Sequence, residues 1–245
     1  MRGPFDPAST RRPDLIVVSG LDGTGKSTQC KLLAERLRLE GHRAETIWNR
    51  WEPRLSAPLI GLAKRRLGGR ERIRDEDYEG FTEAKKRTMQ SRWKKGLWQL
   101  MVWSEYAFEV HHRLGWGRRG PVRICDRYVY DTVVDIAVNF SIPPGELRRL
   151  LGHPLFSLYP TPACVLFLDV DPLVGASRKT DGTPAAYLAD RRGHYLELAR
   201  ILEAPVIDGN AAIDEVAAEI LRLTDSWRRS LRDGSRLEND SGDVT

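Results

Sequence analysis

Short apolar runs rich in branched side chains recur along the chain, at residues 15–19, 44–48, 122–125, 165–170 and 205–207. The first, Leu15-Ile16-Val17-Val18, is continuous rather than alternating, as in a strand covered on both faces. Stretches with helical spacing separate the runs, at 27–39, 57–67, about 81–114, 131–140, 184–202 and 214–229. Strand and helix in alternation predict a parallel five-stranded sheet flanked by helices, a three-layer α/β fold. Ligands of such sheets bind beyond the carboxyl ends of the strands. There is no internal repeat.

Residues 55–116 interrupt the alternation with mostly helical sequence. Between Lys64 and Lys95 they hold twelve Lys/Arg against six Asp/Glu, and six of the seven tryptophans lie in or beside the segment. One reading is a solvated basic helix face over a tryptophan-rich core. Another is an acceptor site with an apolar floor and a cationic rim. A single-stranded nucleic-acid groove uses the same residue types. It ranks below the other two, because no nucleic-acid-binding motif accompanies them.

The first strand runs into Gly20-Leu21-Asp22-Gly23-Thr24-Gly25-Lys26-Ser27-Thr28, a complete phosphate-binding loop followed by helix-favouring sequence. Backbone N–H groups of Gly20, Gly23, Thr24 and Gly25, with the helix start at Lys26, Ser27 and Thr28, would face a phosphate chain. Lys26 would reach the β- and γ-phosphates, and the Ser27 hydroxyl would ligate Mg²⁺. The motif therefore calls for ATP and Mg²⁺.

Composition narrows the remainder. The 245 residues suffice for one ample domain, and 30% charged with 41% hydrophobic residues is a globular balance. No apolar run approaches a membrane span, and residues 1–14 lack the apolar core of a signal peptide. Residues 1–13 and 231–245 read as disordered tails around a domain at 14–230. Cys30, Cys125 and Cys164 have no metal-type spacing, and each sits in an apolar run. Buried free thiols in a reducing cytoplasm are the expectation. The net charge of +5 suits polyanionic small ligands without demanding nucleic acid.

A second motif, Val122-Arg123-Ile124-Cys125-Asp126-Arg127-Tyr128, is a strand ending in Asp-Arg-Tyr. Asp126 is placed to hold Mg²⁺ or its waters, and Arg127 can fork onto a phosphate. With both motifs in hand the chain resembles the thymidylate kinase family. The matching pieces continue with Glu52-Pro53 after the second strand, Leu168-Asp169-Val170-Asp171-Pro172, Arg178, Arg192-x-x-Tyr195 and Val206-Ile207-Asp208. The resemblance spans about residues 15–223. It implies a P-loop kinase fold, ATP–Mg²⁺ as donor, phosphoryl transfer to a monophosphate, a helical acceptor-binding region at about 50–116 and a lid at about 176–192. It further implies that Arg127 grips the acceptor phosphate, that Asp22 lies between acceptor and metal, and that Glu52 shapes the acceptor site. Some members carry an arginine in the loop where this chain has Gly23. The transition-state cation is then expected from the lid, with Arg178, Arg191 and Arg192 as candidates and Lys179 a weaker one lacking the planar fork. Family members are often homodimers, and helix 81–114 is long enough to allow that here.

The resemblance breaks at the base-reading helix. The family's Phe and Arg positions correspond to Val102 and Tyr106. Trp98, Trp103 and Tyr106 could replace the lost stacking surface. A Tyr that borders the base in the family corresponds to Asp135, which shares a helix face with Asp131. These two carboxylates could point to solvent, bind acceptor hydroxyls, or pair with arginines. Three functions follow in descending order. The first is a kinase of a nucleoside monophosphate, above all dTMP. The second is a same-fold kinase of a sugar or polyol derivative. The third is an ATP-binding module serving a partner protein.

Overall fold

A computed structural model describes residues 11–51, 92–115, 120–179, 182–229 and 231. The two expected tails, apart from residues 11–13 and 231, lie outside these residues, as do the expected helix at 57–67, the start of the one at 81–114, and Glu52. The order of elements is β1 (Arg11–Gly20), α1 (Lys26–Leu39), β2 (Ala44–Trp48), α2 (Arg92–Leu114), β3 (Val122–Asp126), α3 (Val129–Asn139), α4 (Leu147–Leu151), β4 (Thr161–Asp169), α5 (Pro172–Ser177), α6 (Ala185–Ile201), β5 (Val206–Asp208) and α7 (Ile213–Leu223). The strands form one sheet in the order β2-β3-β1-β4-β5. Every pairing is parallel.

Alternating side chains of β1 divide the core in two. Leu15 and Val17 face a layer built from α2, α3 and α6. Ile16 and Val18 face α1 and α7. Both sets are fully buried, because a central parallel strand has no solvent face. The expected three layers are therefore present. Several details differ from the sequence pattern, among them the short helix α4, which no expected helical stretch covers. Strand β1 starts at Arg11, so the last three residues of the expected N-terminal tail are strand. Strand β4 begins at Thr161 rather than 165. Helix α5 was not anticipated. It is short and local, set by Asp171 accepting the Leu173 N–H at 2.9 Å with Pro172 in its first turn.

Register aligns the carboxyl ends of the strands. Val18 lies opposite Asp126, and Gly20 opposite Leu168. The glycine loop, Asp126 and Asp169 thus emerge at one edge of the sheet, where a ligand site belongs. Helix α2, 23 residues or roughly 35 Å long, buries Val102, Trp103, Tyr106, Val110 and Leu114 against that same layer. These positions follow the 3.6-residue helical period.

Candidate active site

The loop after β1 takes its shape from two glycines. Gly20 has φ 130°, and a Cβ there would lie 2.0 Å from the Leu168 carbonyl oxygen. Gly23 has φ 82°, and its Cβ would meet the Gly175 oxygen of α5 at 2.3 Å. Only glycine fits either place, so the loop is wedged against β4 and α5. Gly25 caps α1. Ser27 and Thr28 are exposed on its first turn. Thr24 Oγ1 donates to the Leu21 carbonyl at 2.9 Å.

Lys26 is buried inside this loop. Its ammonium donates closely to the Leu21 carbonyl and reaches Thr24 Oγ1 at 3.4 Å. Burial pushes its pKa down to about 8, and neighbouring Arg127 adds to the fall. The loop carbonyl and hydroxyl stand where a phosphate oxygen would accept from the same ammonium. Ser27 Oγ donates closely to Asp126 Oδ2. A hydroxyl and a carboxylate together are a hard oxygen pair of the kind Mg²⁺ takes alongside phosphates. Among the described residues no group of three His, Cys, Asp or Glu gathers as a metal cage would.

Arg127 follows Asp126 with φ 75°, a left-handed conformation uncommon for a non-glycine residue. Its N–H donates to the Val18 carbonyl at 3.0 Å. The guanidinium makes a close ion pair with Asp22 and donates to Asp131 Oδ1 at 3.2 Å. Burial opposes the charge on Asp22. Arg127, Lys26 and Lys179 outweigh it and hold that carboxyl well below the usual range. Lys179 Nζ stands 3.4 Å from Asp22 Oδ2. Asp22, Arg127 and Lys179 therefore meet at one point.

The structure distributes the remaining expected residues unevenly. Asp131, expected to touch the acceptor, has a side chain 1% exposed, and its oxygens accept from Ser19, Tyr128, Arg127 and Tyr195. It is a buried anchor rather than a solvent-facing carboxylate. Asp135, 27% exposed, is paired with Arg50 at 3.1 Å and Arg191 at 3.2 Å. That is the arginine-pairing alternative. Trp103 and Tyr106 are 3% and 0% exposed. Trp103 packs on Phe156 and Tyr159. The Tyr106 hydroxyl donates to the Asn49 carbonyl at 2.7 Å. Both are core residues rather than an open stacking surface, because their helix face is the one that covers the sheet. Val102 is buried with them.

The arginines expected in the lid also separate. Arg178 donates to the carbonyls of Gly209 at 2.8 Å and Gly23 at 3.3 Å, tying the loop to the end of β5. Arg192 forks onto Asp169 at 2.7–3.1 Å with a side chain 41% exposed. Arg191 lies 3.4 Å over the Tyr187 ring and turns to Asp135. Lys179 is the one of these four cations that meets the loop acid.

Sequence reasoning missed Arg50, and it missed Ser19 and Tyr195 as partners of Asp131. Arg50 sits just past β2, two residues before Glu52-Pro53, and that placement was the available signal. The two partners were inside quoted motifs, but the pairing requires the fold.

Several thymidylate kinases are similar to the chain over nearly their whole length. That of Ruegeria pomeroyi is 30% identical over 223 residues, covering 85% of this chain and 92% of the relative. The chain belongs to the thymidylate kinase family. That of Caulobacter vibrioides is 29% identical, covering 84% and 92%. No family model matches. A solved structure of deoxyadenosine kinase from M. mycoides with bound dCTP has a TM-score of 0.51 at 14% identity, covering 86% of this chain and 99% of that one. It supports the three-layer P-loop kinase fold.

Proposed function

We propose that this family member transfers a phosphoryl group from ATP–Mg²⁺ to a nucleoside monophosphate, with dTMP as the acceptor that family membership favours. The observation that carries the reading is the pairing of two phosphate grips around one acid. Lys26 lies inside the loop on the donor side, Arg127 lies at the acceptor side, and Asp22 stands between them with interactions to both. Phosphoryl transfer needs positioning and charge neutralisation more than covalent help from the protein.

In this reading Lys26 leaves the Leu21 carbonyl for the phosphate chain, and the loop N–H groups hold the β-phosphate. Ser27 and Asp126 would hold Mg²⁺, which would supply neutralisation of phosphate charge. Arg127 forks onto the acceptor phosphate. Lys179, brought to Asp22 by the lid, is the cation nearest the line of transfer. Arg178 steadies the loop, and Arg192 anchors the lid helix on Asp169. The Tyr106 and Trp103 side chains hold the acceptor floor in shape from behind. Glu52, in the segment that follows Arg50, keeps the acceptor-shaping role the resemblance implies.

One observation favours a second reading. The positions that read the base in the family, Val102 and Tyr106, are buried here. The position that borders the base carries Asp135 with two arginines. A small phosphorylated acceptor lacking a pyrimidine would suit that cluster. The deciding experiment is coupled ADP release from ATP–Mg²⁺ with a panel of nucleoside monophosphates, using Lys26→Ala as blank. Stimulation by dTMP supports the first reading. Turnover unmoved by every nucleotide sinks it in favour of the second.

A further inference from the structure

Helices α3 and α6 meet through two matched pairs. Asp131 and Asp135 are four residues apart on α3, and Arg191 and Tyr195 are four apart on α6, so each pair lies on one helix face. The Tyr195 hydroxyl donates to Asp131 Oδ1 at 2.9 Å. Arg191 donates to Asp135 Oδ1 at 3.2 Å. The order reverses between the helices, as in an antiparallel ladder of two rungs.

The Asp131 rung does more than join helices. Its Oδ2 accepts from Ser19 Oγ at the end of β1 at 2.8 Å and from the Tyr128 N–H at 2.9 Å. Its Oδ1 accepts from Arg127 at 3.2 Å as well as from Tyr195. One buried carboxylate thus joins the strand leading into the phosphate loop, the start of α3, the acceptor-side arginine and the lid helix. Four donors converge on it. An amide offers only one acceptor oxygen and would set its N–H₂ against donors. Arg127 needs such support, because a non-glycine residue at positive φ persists only where its surroundings over-determine it.

We propose that Asp131 is the positioning residue of the acceptor-phosphate grip, and that through Tyr195 it sets the register between the lid helix and Arg127. The inference rests on the reading of Arg127 as that grip. Asp131 does not touch the acceptor. It aims the guanidinium, leaving the outward Nη2 to Asp22 until a phosphate replaces that partner. Movement of α6 at the Tyr195 rung alters the aim of Arg127, so lid position and acceptor grip are coupled.

The test starts without any acceptor. Arginine side-chain ¹⁵N NMR on the full chain, with Arg127→Lys to assign the signals, reports the two Arg127 Nη groups. In the native protein they are separate, because each is held by a different carboxylate. In Asp131→Asn they merge or broaden, and in Tyr195→Phe the Nη1 signal shifts. Calorimetry of dTMP with ADP–Mg²⁺ present gives the second arm. Asp131→Asn weakens dTMP about 10- to 100-fold, the worth of a charge-assisted hydrogen bond, with ADP–Mg²⁺ affinity unmoved. In the Arg127→Lys background Asp131→Asn adds nothing, as expected of a residue acting through another. Unchanged Arg127 signals in Asp131→Asn overturn the proposal, as does an equal loss of affinity in both backgrounds. Should Asp131→Asn fail to fold, Tyr195→Phe and Ser19→Ala carry the same NMR test with the carboxylate intact, and unchanged Arg127 signals in both overturn it. If the native protein binds no nucleoside monophosphate, the nucleotide reading falls while the NMR arm still decides the role of Asp131.

Discussion

In the proposed reading, the donor and acceptor halves of the site are built from different materials. On the donor side the main chain does most of the work. Gly20 and Gly23 are wedged against the Leu168 and Gly175 carbonyls, and Arg178 ties Gly23 to Gly209 through their oxygens. On the acceptor side the shape comes from side chains paired with side chains. Asp22 and Asp131 hold Arg127, and Asp135 holds Arg50 and Arg191. A backbone-built half has few sequences that satisfy it. A half built from ion pairs can be re-specified by single substitutions while the fold stays as it is. Donor chemistry is therefore the conserved possibility of such a site in physical terms, and acceptor choice is the adjustable one.

The comparison breaks most sharply at Lys26, where a side chain serves the backbone-built half. Lys26→Ala removes the cation that the loop encloses, and turnover falls about 10²- to 10³-fold, the cost of deleting one preorganised charge donor. The purified variant, assayed by ADP release, keeps its native melting profile. An undiminished rate would remove the loop from the chemistry altogether.

Next in size is Gly20→Ala. The added methyl meets the Leu168 carbonyl at 2.0 Å, and φ 130° is closed to alanine. A loss of about 3 kcal/mol, the upper range for strained backbone, appears as a lowered urea midpoint together with loss of nucleotide binding. Stability and donor binding fall together because one piece of backbone supplies both. On the acceptor side they should come apart. Arg127→Lys keeps the charge but loses the planar fork that reaches Asp22 and Asp131 at once. The acceptor KM rises about 10- to 100-fold, the worth of a lost charge-assisted hydrogen bond, while the KM for ATP and the melting temperature change little. Equal changes in both KM values would contradict the division into two halves.

The same division explains what could be read from the sequence. The loop was legible because backbone geometry demands glycine at fixed positions, and because Lys26 and Ser27 follow at fixed spacing. The order of strands and helices was legible from apolar periodicity, and β2 has the bounds its pattern set. The acceptor side was legible only as a list of charged residues. Nothing in the spacing of Asp131 says that Ser19, 112 positions away, will donate to it. Likewise Tyr106 has the composition of a stacking residue, but α2 turns it into the core, where its hydroxyl finds Asn49. Short, locally capped α5 was missed for a different reason. Six residues carry too little periodicity to register, although Asp171-Pro172 is a start signal.

The smallest expected effect is the uptake of about one proton. Lys26 has a pKa of about 8 in the ligand-free protein, lowered from 10.5 by burial and then by Arg127. A bound triphosphate favours the charged ammonium, so the pKa of Lys26 in the complex lies above its free value. The sign follows. Donor affinity is full below pH 8 and declines above it, by up to tenfold per pH unit until the pKa of the complex is reached. At pH 9 most Lys26 in the free protein is neutral, so binding takes up close to one proton. At pH 6.5 it takes up almost none. Asp22 is ionised throughout this range, and burial keeps the Cys125 thiol protonated by pushing it up to about 12, so neither contributes. Calorimetry of ADP–Mg²⁺ at pH 9, in buffers of different ionisation enthalpy, reads the uptake directly. Lys26→Met should abolish it while Arg127→Lys alters it only slightly. Heats independent of buffer at pH 9 would show that Lys26 is already charged in the empty loop, and that the donor half is more open to water than its burial implies.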